Sequence, residues 1–239
     1  MTTWLFDLGN TRLKCAPLHD DGGIGEVAAV ACDADDHWLD ALPSGDVACL
    51  ASVAPEPCTT ALLAALATRY SRLHRVRTEP ELGRLKIAYA VPSHLGVDRF
   101  LAMLGLCGDE PLLVVGVGTA LTIDLVDAQG HHRGGRIAPS PRLMRESLHA
   151  RAPHLPLTGG HYVEFADDTD HALVSGCEGA ALALIESSLR YATERLGVSP
   201  TLCLHGGGAE ALRSRLSAHR WTPDAVLAGL ARWHALRLA

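Results

Sequence analysis

The stretch PLLVVGVGTALTIDLVDAQG at residues 111–130 has the pattern of a buried strand, a glycine turn and a second strand. The same pattern opens the chain in TWLFDLGNTRLK at residues 3–14. Placing Asp7 over Gly116 gives an offset of 109 residues (116 − 7), nearly half of the 239-residue chain. Each half continues with further strands and then helices, which is typical of a duplicated α/β unit. The sequence therefore predicts an α/β protein of two similar halves, with a boundary near residues 108–111.

Composition limits the class of protein. Hydrophobic residues make up 48% of the chain and charged residues 20%, as in a globular domain with a real core. The formal net charge is −6 and no basic run is present, so nucleic acid is not expected as a partner. We also expect no membrane partner, because no signal peptide is evident and no apolar run approaches about 18 residues. The seven cysteines are scattered without a CxxC pair, which favours reduced thiols and a cytoplasmic location.

Periodicity and turn residues predict the remaining secondary structure. The expected strands are 47–53, a strand around 85–91, and TLCLH at 201–205. The expected helices are 59–70, one beginning near Gly96–Asp98, 170–196, 209–218, and a C-terminal helix capped by Thr222 ahead of Pro223.

Three glycine-rich turns each follow a strand: DLGNT at 7–11, GVGTA at 116–120 and HGGGA at 205–209. Glycine lets backbone N–H groups approach an anion without obstruction from a Cβ atom, and a leading aspartate can hold a metal ion beside a bound phosphate. None of the turns matches GxxxxGK[ST] or GxGxxG. The alternative for each turn taken alone is a tight turn that requires φ > 0. Three such turns in one chain favour phosphate binding.

An Asp–Arg pair begins a predicted helix in the segment YAVPSHLGVDR at residues 89–99. Here Asp98 can accept a proton from a hydroxyl group while Arg99 stabilises negative charge. The alternative is an aspartate favoured by the helix dipole, with Arg99 in solvent.

Histidine is frequent, with 13 residues, but neither HExxH nor another regular ligand spacing occurs. We interpret the segment GHHR at residues 130–133, which contains His131 and His132, as an exposed hairpin turn.

The ordered motifs resemble those of the type III pantothenate kinases. The motifs are DLGNTRLK, YxxPxxLGxDR, GTAxTxD, GGxIxP, LP at 155–156, DTxxAxxxG at 168–176 and a C-terminal GG turn, and together they span nearly the whole chain. The resemblance implies two duplicated actin-like (ribonuclease H-like) domains, 1–109 and 110–239, with ATP in the cleft between them. It also implies a homodimer that phosphorylates pantothenate to 4'-phosphopantothenate, the first step of coenzyme A biosynthesis.

The resemblance assigns roles to individual positions. Asp98 would be the general base, and the pantothenate-binding residues would be Tyr89, Gly96, Val97, Arg99 and, from the partner subunit, Thr169. The ATP-binding residues would be Asp7, Leu8, Gly9, Asn10, Thr11, Arg12, Leu13, Lys14, Gly118, Thr119, Gly206 and Gly207. Asp7 would position Mg²⁺, and Asp124 is associated with a monovalent cation, K⁺ or NH₄⁺.

Three positions depart from the family pattern. Gly116 replaces an aspartate at the head of the second turn, which removes a carboxylate near the phosphates. Ser140 replaces a glycine, and a serine at φ > 0 would cost about 1–2 kcal/mol, so a different local turn is expected. Asp168 replaces an asparagine before Thr169.

Two alternatives to the kinase stay open. One is a catalytically weakened member that binds nucleotide or pantothenate as a regulatory protein, for which Gly116 is the main argument. The other is a phosphotransferase or phosphatase of the same fold with a different substrate.

Overall fold

A computed structural model of the chain describes residues 1–32, 37–216 and 218–238. The strands are β1 (Thr3–Leu8), β2 (Arg12–Leu18), β3 (Ala28–Ala31), β4 (Gly45–Ser52), β5 (Tyr70–Arg75), β6 (Glu81–Leu82), β7 (Leu85–Lys86), β8 (Leu112–Val117), β9 (Ala120–Val126), β10 (His132–Pro139), β11 (Thr201–His205) and β12 (Arg220–Trp221). The helices are α1 (Glu56–Ala67), α2 (Val97–Leu106), α3 (Pro141–Arg151), α4 (Thr169–Leu196), α5 (Glu210–Arg213) and α6 (Ala225–Arg237), with short 3₁₀ turns at His37–Leu39 and Pro92–His94.

Packing divides the chain into two compact units. The first contains Met1–Gly108, Gly130–His132 and Asp224–Ala239, and the second contains Asp109–Gln129 and Arg133–Pro223. The break near residue 108 lies where the sequence predicts a boundary. The C-terminal segment differs from the predicted division at 1–109 and 110–239, because it packs within the first unit.

The first unit is built on a five-stranded mixed sheet in the order β3-β2-β1-β4-β5. Strand β1 pairs antiparallel with β2 and parallel with β4. Alternate side chains of a strand point to opposite faces, so Phe6 and Leu8 of β1 enter one core together with Leu62 and Leu66 of α1. The intervening Asp7 therefore points to the other face of the sheet.

Helices α2 and α6 cover that other face. Helix α6 packs on β1, β2 and β4, and α2 packs on β4 and on α6. The two helices approach closely because glycines stand at their contact: a Cβ atom on Gly229 would lie 2.0 Å from the carbonyl oxygen of Leu101. A Cβ atom on Gly105 would lie 2.5 Å from the backbone nitrogen of Gly229. The first turn of each helix is thereby fixed at the edge of the same sheet face.

The second unit contains another five-stranded sheet, in the order β10-β9-β8-β11-β12. Strand β8 pairs antiparallel with β9 and parallel with β11, as β1 does with β2 and β4. One face packs on α4 through Leu113, Val115, Ile123 and Ile185, all of which are buried. Val114 and Gly116 alternate with Leu113 and Val115 along β8, so they belong to the opposite face of the sheet.

Helix α4 begins at an N-cap aspartate, Asp168, whose carboxylate accepts the backbone N–H of His171. It ends at Gly197, which adopts the left-handed conformation with φ 71°. An 18-residue window of this helix reaches a mean hydropathy of 1.3, with 39% of the window buried. Among the described helices it alone passes this test, which a core helix of a soluble protein also passes. One helix of this kind is weak evidence for a membrane span.

Several predicted elements differ from those found. The predicted helix 59–70 ends at Ala67, and β5 begins at Tyr70. The predicted strand at 85–91 is reduced to Leu85–Lys86, paired with Glu81–Leu82, because the chain then turns through Pro92. The predicted helix 209–218 forms only at Glu210–Arg213. Helix α3 was not predicted; its large apolar residues, Leu143, Met144 and Leu148, span little more than one turn, and none of its residues is buried.

Candidate active site

The first glycine turn closes the β1–β2 hairpin. The backbone N–H of Gly9 donates to the carbonyl oxygen of Arg12 at 3.0 Å. Asn10, Thr11 and Arg12 are exposed, whereas the side chains of Leu8 and Leu13 are fully buried in the core. Any contact of these two leucines with a nucleotide would therefore use their backbone atoms.

Asp7 and Lys14 are direct cross-strand partners in this hairpin and share the face covered by α2 and α6. The pKa of the Asp7 carboxyl is raised to about 7. Loss of water around the side chain is the largest cause, and the negative charge of Asp98 is the second. The charge of Lys14 acts in the opposite direction, and that of Asp224 again raises the pKa. Asp7, Lys14, Asp98 and Asp224 therefore form one electrostatic group inside the first unit.

Asp98 stands in the first turn of α2, where its Oδ1 accepts the backbone N–H of Arg99 at 2.8 Å. The preceding Gly96 leaves room for this carboxylate, since a Cβ atom on Gly96 would lie 2.6 Å from Asp98 Oδ1. Asp98 is half-buried, while Val97 is buried at the start of the helix. Glycine is therefore favoured at position 96 because it leaves space for the Asp98 carboxylate, and not because the backbone has a positive φ.

Arg99 is buried and not in solvent, so the alternative considered for it from the sequence is wrong. One of its terminal nitrogens donates to the Tyr89 hydroxyl at 3.3 Å, and its guanidinium carbon lies 5.9 Å from the centre of the Tyr89 ring. The Tyr89 ring also stacks on His132, with ring centres 5.9 Å apart and planes at 10°. Tyr89 is therefore in contact with both a cation and an imidazole.

The position of His132 corrects the interpretation of residues 130–133 as an exposed hairpin turn. His131 is exposed, but only 3% of His132 is accessible, and its Nδ1 accepts the backbone N–H of Ala88 at 3.4 Å. Two histidines beside glycine and arginine carry no sequence signal that separates one from the other.

A second residue that the sequence analysis missed is Asp224. Lys14 Nζ donates to Asp224 Oδ1 at 2.9 Å. Thr222, the predicted cap of the last helix, instead donates its N–H and hydroxyl to the carbonyl oxygen of Leu204. Asp224 occupies the N-cap position of α6 without a capping hydrogen bond from its side chain.

The second glycine turn joins β8 to β9, and both Gly118 and Thr119 are exposed there. The N–H of Gly118 donates to the carbonyl oxygen of Ala120 at 2.9 Å. The carbonyl oxygen of Thr119 accepts the hydroxyl of Ser140 at 2.9 Å. Ser140 has φ −69° and caps α3 by accepting the N–H of Leu143, so the different turn expected at this departure is present without strain.

Gly116 lies where the family pattern places an aspartate, and the space beside it is filled by other side chains. A Cβ atom there would lie 2.8 Å from His205 Nε2 and 2.8 Å from Thr122 Oγ1. Both neighbours face Gly116 across adjacent strands. Asp124, two residues beyond Thr122 in β9, points to the same face and is buried. The imidazole of His205 and the hydroxyl of Thr122 thus occupy the space that an aspartate side chain at position 116 would need.

The third glycine turn, at residues 205–209, is hydrogen-bonded to the end of β8. The N–H of Gly208 donates to the carbonyl oxygen of Val117 at 2.9 Å. Gly206 has φ +92°, and a Cβ atom on it would lie 2.4 Å from that oxygen, so this position requires glycine. Gly207 is exposed beside it. The structure therefore brings the second and third turns together in the second unit.

Thr169 is the first residue of α4 and is exposed. The backbone N–H of His171 is the main cause that lowers the pKa of the neighbouring Asp168, because it stabilises the carboxylate. The departure from asparagine to Asp168 thus keeps a residue that caps the helix.

Residues 1–32, 37–216 and 218–238 contain no group of three or more histidine, cysteine, aspartate or glutamate side chains that could hold a metal ion alone. Mg²⁺ commonly binds through one or two carboxylates, with phosphate oxygens and water completing its shell. Asp7 fits this mode, since it is a carboxylate that a nearby cation would relieve of unfavourable negative charge.

Comparison with known proteins gives a consistent assignment. A family model described as type III pantothenate kinase matches residues 4–190. The type III pantothenate kinase of Xanthomonas campestris pv. campestris (strain B100) is 56% identical over 236 residues, covering 98% of this chain and 97% of the relative. That of Stenotrophomonas maltophilia (strain K279a) is 54% identical over 237 residues, with the same coverage of both chains.

Solved structures agree on the fold. A protein from Campylobacter jejuni, described as a conserved member of the Baf family of transcriptional activators by tentative assignment, aligns with a TM-score of 0.66 and 19% identity over 97% of both chains. An archaeal actin homologue aligns with a TM-score of 0.51 and 10% identity, covering 98% of this chain and 99% of its own. These likenesses support the actin-like α/β fold alone. The resemblance seen in the ordered motifs is confirmed by the sequence relatives, and the chain belongs to the type III pantothenate kinase family.

Proposed function

We propose that this protein transfers the γ-phosphoryl group of ATP to the hydroxyl of pantothenate. The product is 4'-phosphopantothenate, and the reaction is the first step of coenzyme A biosynthesis. The observation that carries the proposal is the electrostatic coupling of Asp7, at the head of the first phosphate turn, to Asp98 at the start of α2. Relatives named for this activity share more than half of their residues with the chain.

On the acceptor side, Asp98 takes the proton of the pantothenate hydroxyl and orients its oxygen. The residue is half-buried beside Gly96, and it lies next to the cationic Arg99. Tyr89, Gly96, Val97 and Arg99 form the pantothenate pocket in this proposal. Phosphoryl transfer requires an oriented alcohol and neutralised charge more than covalent chemistry, which suits this set of groups.

On the nucleotide side, the backbone of Leu8–Leu13 and the ammonium of Lys14 contact the phosphates. Gly118 and Thr119 approach them from the second turn, and Gly206 and Gly207 lie near the nucleotide. The matching strand orders of the two sheets support a duplication into domains 1–109 and 110–239, except that α6 packs with the first domain. We place ATP between these domains on the strength of the family resemblance.

Mg²⁺ is the divalent cation of the proposal, and Asp7 would hold it. Bound there, Mg²⁺ supplies positive charge to the phosphate oxygens. The buried Asp124 would support a monovalent cation, K⁺ or NH₄⁺, together with backbone carbonyl groups. With imidazole rather than carboxylate beside Gly116, we expect that cation to bind weakly.

The proposed active form is a cytoplasmic homodimer in which α3 and α4 form the interface. Helix α3 has no buried residue in the single chain, and a largely apolar groove of about 440 Å³ lies between it and α4. Leu148, at the groove, is exposed, and Phe165 before α4 is 99% exposed. An apolar surface of this kind is usual at subunit interfaces. Thr169 would complete the partner's pantothenate pocket.

The same experiment tests the kinase and its two alternatives. Purified protein is incubated with ATP, Mg²⁺ and K⁺, with or without pantothenate, and the products are identified by mass spectrometry. A pantothenate-dependent rise in ADP together with 4'-phosphopantothenate supports the kinase. Nucleotide or pantothenate binding without product would favour the regulatory protein suggested by Gly116. ATP turnover that is indifferent to pantothenate would favour another substrate.

A further inference from the structure

A cavity of about 260 Å³ lies between the second sheet and the last turns of α4. The apolar side chains of Leu113, Ile123 and Leu125 form its floor, and Tyr191 of the helix stands beside them. Gly134 in the edge strand β10 contributes to the open space, since apart from its chain neighbours no described residue would have an atom within 4 Å of a Cβ there. Because this position has φ +108°, a side chain that would fill the space is disfavoured.

The cavity is separate from the sites proposed above. Ile123 and Leu125 alternate along β9 with Thr122 and Asp124, so the floor of the cavity and the buried Asp124 carboxylate lie on opposite faces of the sheet. The apolar groove of the proposed dimer interface uses α4 residues 172–177, whereas the cavity uses residues 188–195. The cavity residues begin 11 positions later (188 − 177), which is about 16 Å along the helix. A ligand in the cavity would therefore meet neither the proposed cation site nor this groove.

Positive charge surrounds the cavity. Three arginines line it, Arg133, Arg136 and Arg195, and the described residues of its lining include no aspartate or glutamate. Asp127 lies close by and pairs with Arg133, whose Nε donates to its carboxylate at 2.6 Å. Within the lining, Arg136 and Arg195 then carry the remaining positive charge. In a protein of net charge −6, such a cavity indicates a local preference for anions.

Contacts with the protein hold these two arginines at the cavity. Arg136 Nη1 donates to the hydroxyl of the buried Ser188 at 3.1 Å, and its guanidinium carbon lies 5.7 Å from the centre of the Tyr191 ring. Arg195 Nη1 donates to the carbonyl oxygen of Arg133 at 3.3 Å. A guanidinium has five N–H groups, so a contact that fixes its position is compatible with further donation to an anion.

We propose that this cavity binds a small phosphate monoester, at a site separate from the proposed ATP and pantothenate sites. The guanidinium groups of Arg136 and Arg195 hold the phosphate, whose oxygens match their planar fork of donors. The organic part of the ligand lies against Leu125 and the exposed Tyr191 ring. At about 260 Å³ the cavity is at the lower end of the usual size of ligand sites, so it suits a single ring and not a whole nucleotide. The inference does not depend on the proposed function, because no residue of the proposed active site lines the cavity.

The probe is phenyl phosphate, which combines one phosphate group with one ring. Calorimetry measures its binding to the wild-type protein with saturating ADP and Mg²⁺, which occupy the proposed nucleotide site. We expect phenyl phosphate to bind at least about tenfold more tightly than inorganic phosphate, because its ring covers apolar surface. Benzyl alcohol, which has the ring without the charge, should bind at least about tenfold more weakly than phenyl phosphate.

ADP also separates this site from the nucleotide site. Binding of phenyl phosphate that ADP abolishes would place the probe in the nucleotide site and contradict the proposal. Failure of ADP itself to bind would contradict the proposed function, and the phenyl phosphate titration without ADP would still test the cavity.

Tyr191 reports where the probe binds. The chain has four tyrosines, so incorporation of 3-fluorotyrosine gives four ¹⁹F signals, and Tyr191→Phe identifies the signal of Tyr191. Phenyl phosphate should displace that signal and leave in place the signal of Tyr70, which is buried in the core of the first unit. An unmoved Tyr191 signal under conditions in which calorimetry shows binding would contradict the site.

Arginine substitutions test the phosphate contacts. Arg136→Gln and Arg195→Gln each remove one charged donor group, and each should weaken the binding of phenyl phosphate about tenfold. The matched control is Arg190→Gln. Arg190 lies on the same helix with its guanidinium carbon 5.4 Å from the centre of the Tyr191 ring, but it does not line the cavity. Its substitution should change the affinity less than about threefold, because solvent and salt screen its charge.

A conservative variant and the comparison of the two helix arginines complete the test. Arg136→Lys keeps the charge but loses the planar fork, so its affinity should lie between those of wild type and Arg136→Gln. If Arg136→Gln does not fold, Arg195→Gln decides, because Arg195 is exposed. Equal weakening by Arg195→Gln and Arg190→Gln would show a general effect of net charge and overturn the proposal. Unchanged affinity in Arg195→Gln would overturn it as well.

Discussion

At the scale of single residues, we expect the loss of the Asp98 carboxylate to lower the reaction rate while leaving the fold and ADP binding intact. Asp98→Asn removes the proton acceptor, so pantothenate phosphorylation should fall by about 10²-fold or more. An asparagine oxygen can still accept the N–H of Arg99, as Oδ1 now does at 2.8 Å, and the fold should persist. ADP binding should stay within about twofold of wild type. Turnover close to wild type in a folded Asp98→Asn protein would contradict the assignment of Asp98 as the general base.

Asp7 predicts a pH dependence whose sign can be worked out. Without metal its folded pKa is about 7, whereas an aspartate in the unfolded chain titrates near 3.9. The charged form is therefore disfavoured in the folded state, and Asp7 costs stability as the pH rises from about 4 to 7. The upper limit is about 4 kcal/mol, and about 1–2 kcal/mol is expected because the side chain keeps some access to water.

The corresponding test is a set of thermal melts of Asp7→Asn without Mg²⁺ or nucleotide. The variant should melt about 3–6 °C above wild type at pH 8 and at the same temperature at pH 4. Asp46→Asn is the matched control of opposite sign, since the Thr2 backbone N–H lowers the pKa of Asp46. That variant should gain nothing at pH 8. Equal melting of wild type and Asp7→Asn at every pH would show that Asp7 is well solvated.

Gly116 is the residue at which the sequence analysis expected a missing carboxylate to matter. The structure adds a steric condition, because His205 and Thr122 approach to 2.8 Å of a Cβ atom there. Gly116→Asp alone should lose about 1–3 kcal/mol of stability through overpacking, and a second change, His205→Ser, should recover most of it. The double variant should need less K⁺ than wild type for half-maximal activity.

Gly118→Ala is the stability control for this series, since its Cβ atom would lie 4.0 Å from the nearest atom, the carbonyl oxygen of Ala120. A Gly116→Asp protein as stable as wild type would refute the steric argument. A folded double variant with unchanged K⁺ dependence would show that this turn acts through its backbone alone.

At the scale of elements, the contact between α2 and α6 connects the fold to the site. Asp98 lies in the first turn of α2 and Asp224 immediately precedes α6, and the two helix backbones approach each other at Gly105 and Gly229. Gly229→Ala would place a methyl group 2.0 Å from the carbonyl oxygen of Leu101, a backbone atom that cannot rotate away. We expect a loss of at least about 2 kcal/mol in the free energy of unfolding, despite the better helix propensity of alanine.

Activity should fall with it, because separating the helices moves both carboxylates. Gly108→Ala adds the same methyl group just beyond α2, where nothing lies within 4 Å, and should melt within about 2 °C of wild type. Melting curves and turnover of the two variants are compared. Equal stability of Gly229→Ala and Gly108→Ala would mean that the helices have room to separate.

The elements also show which parts of the fold the sequence could predict. Strands β8 and β9 and the turn between them were predicted because predominantly apolar runs flank two glycines. Helix α3 escaped prediction because its few large apolar residues span little more than one turn, which is too short a pattern to indicate a helix. The predicted cap at Thr222 failed for a related reason, as its polar groups satisfy the carbonyl oxygen of Leu204 in another element.

The same division applies to the site. Asp7, Asp98 and the glycine turns carry local motifs, so sequence reasoning could propose them. Asp224 carries none, because its partner Lys14 is 210 residues away. His132 likewise carries no motif, and it is buried among tertiary neighbours that include Tyr89. Residues that act through tertiary neighbours are visible only once the fold has brought those neighbours together.

At the scale of the whole molecule, the central prediction is that the homodimer shares its sites. Thr169 is exposed at the head of α4 in the single chain, beside an apolar surface with unburied α3 residues. If Thr169 completes the partner's pocket, Asp98→Ala and Thr169→Ala proteins, each nearly inactive, should complement one another when mixed. Half of the randomly formed dimers are mixed, and each has one intact site, so about one quarter of wild-type activity should return. Differently tagged subunits isolate the mixed dimers, and each variant incubated alone is the control. Mixed dimers without regained activity would place Thr169 in its own subunit's site, since both sites would then lack one residue.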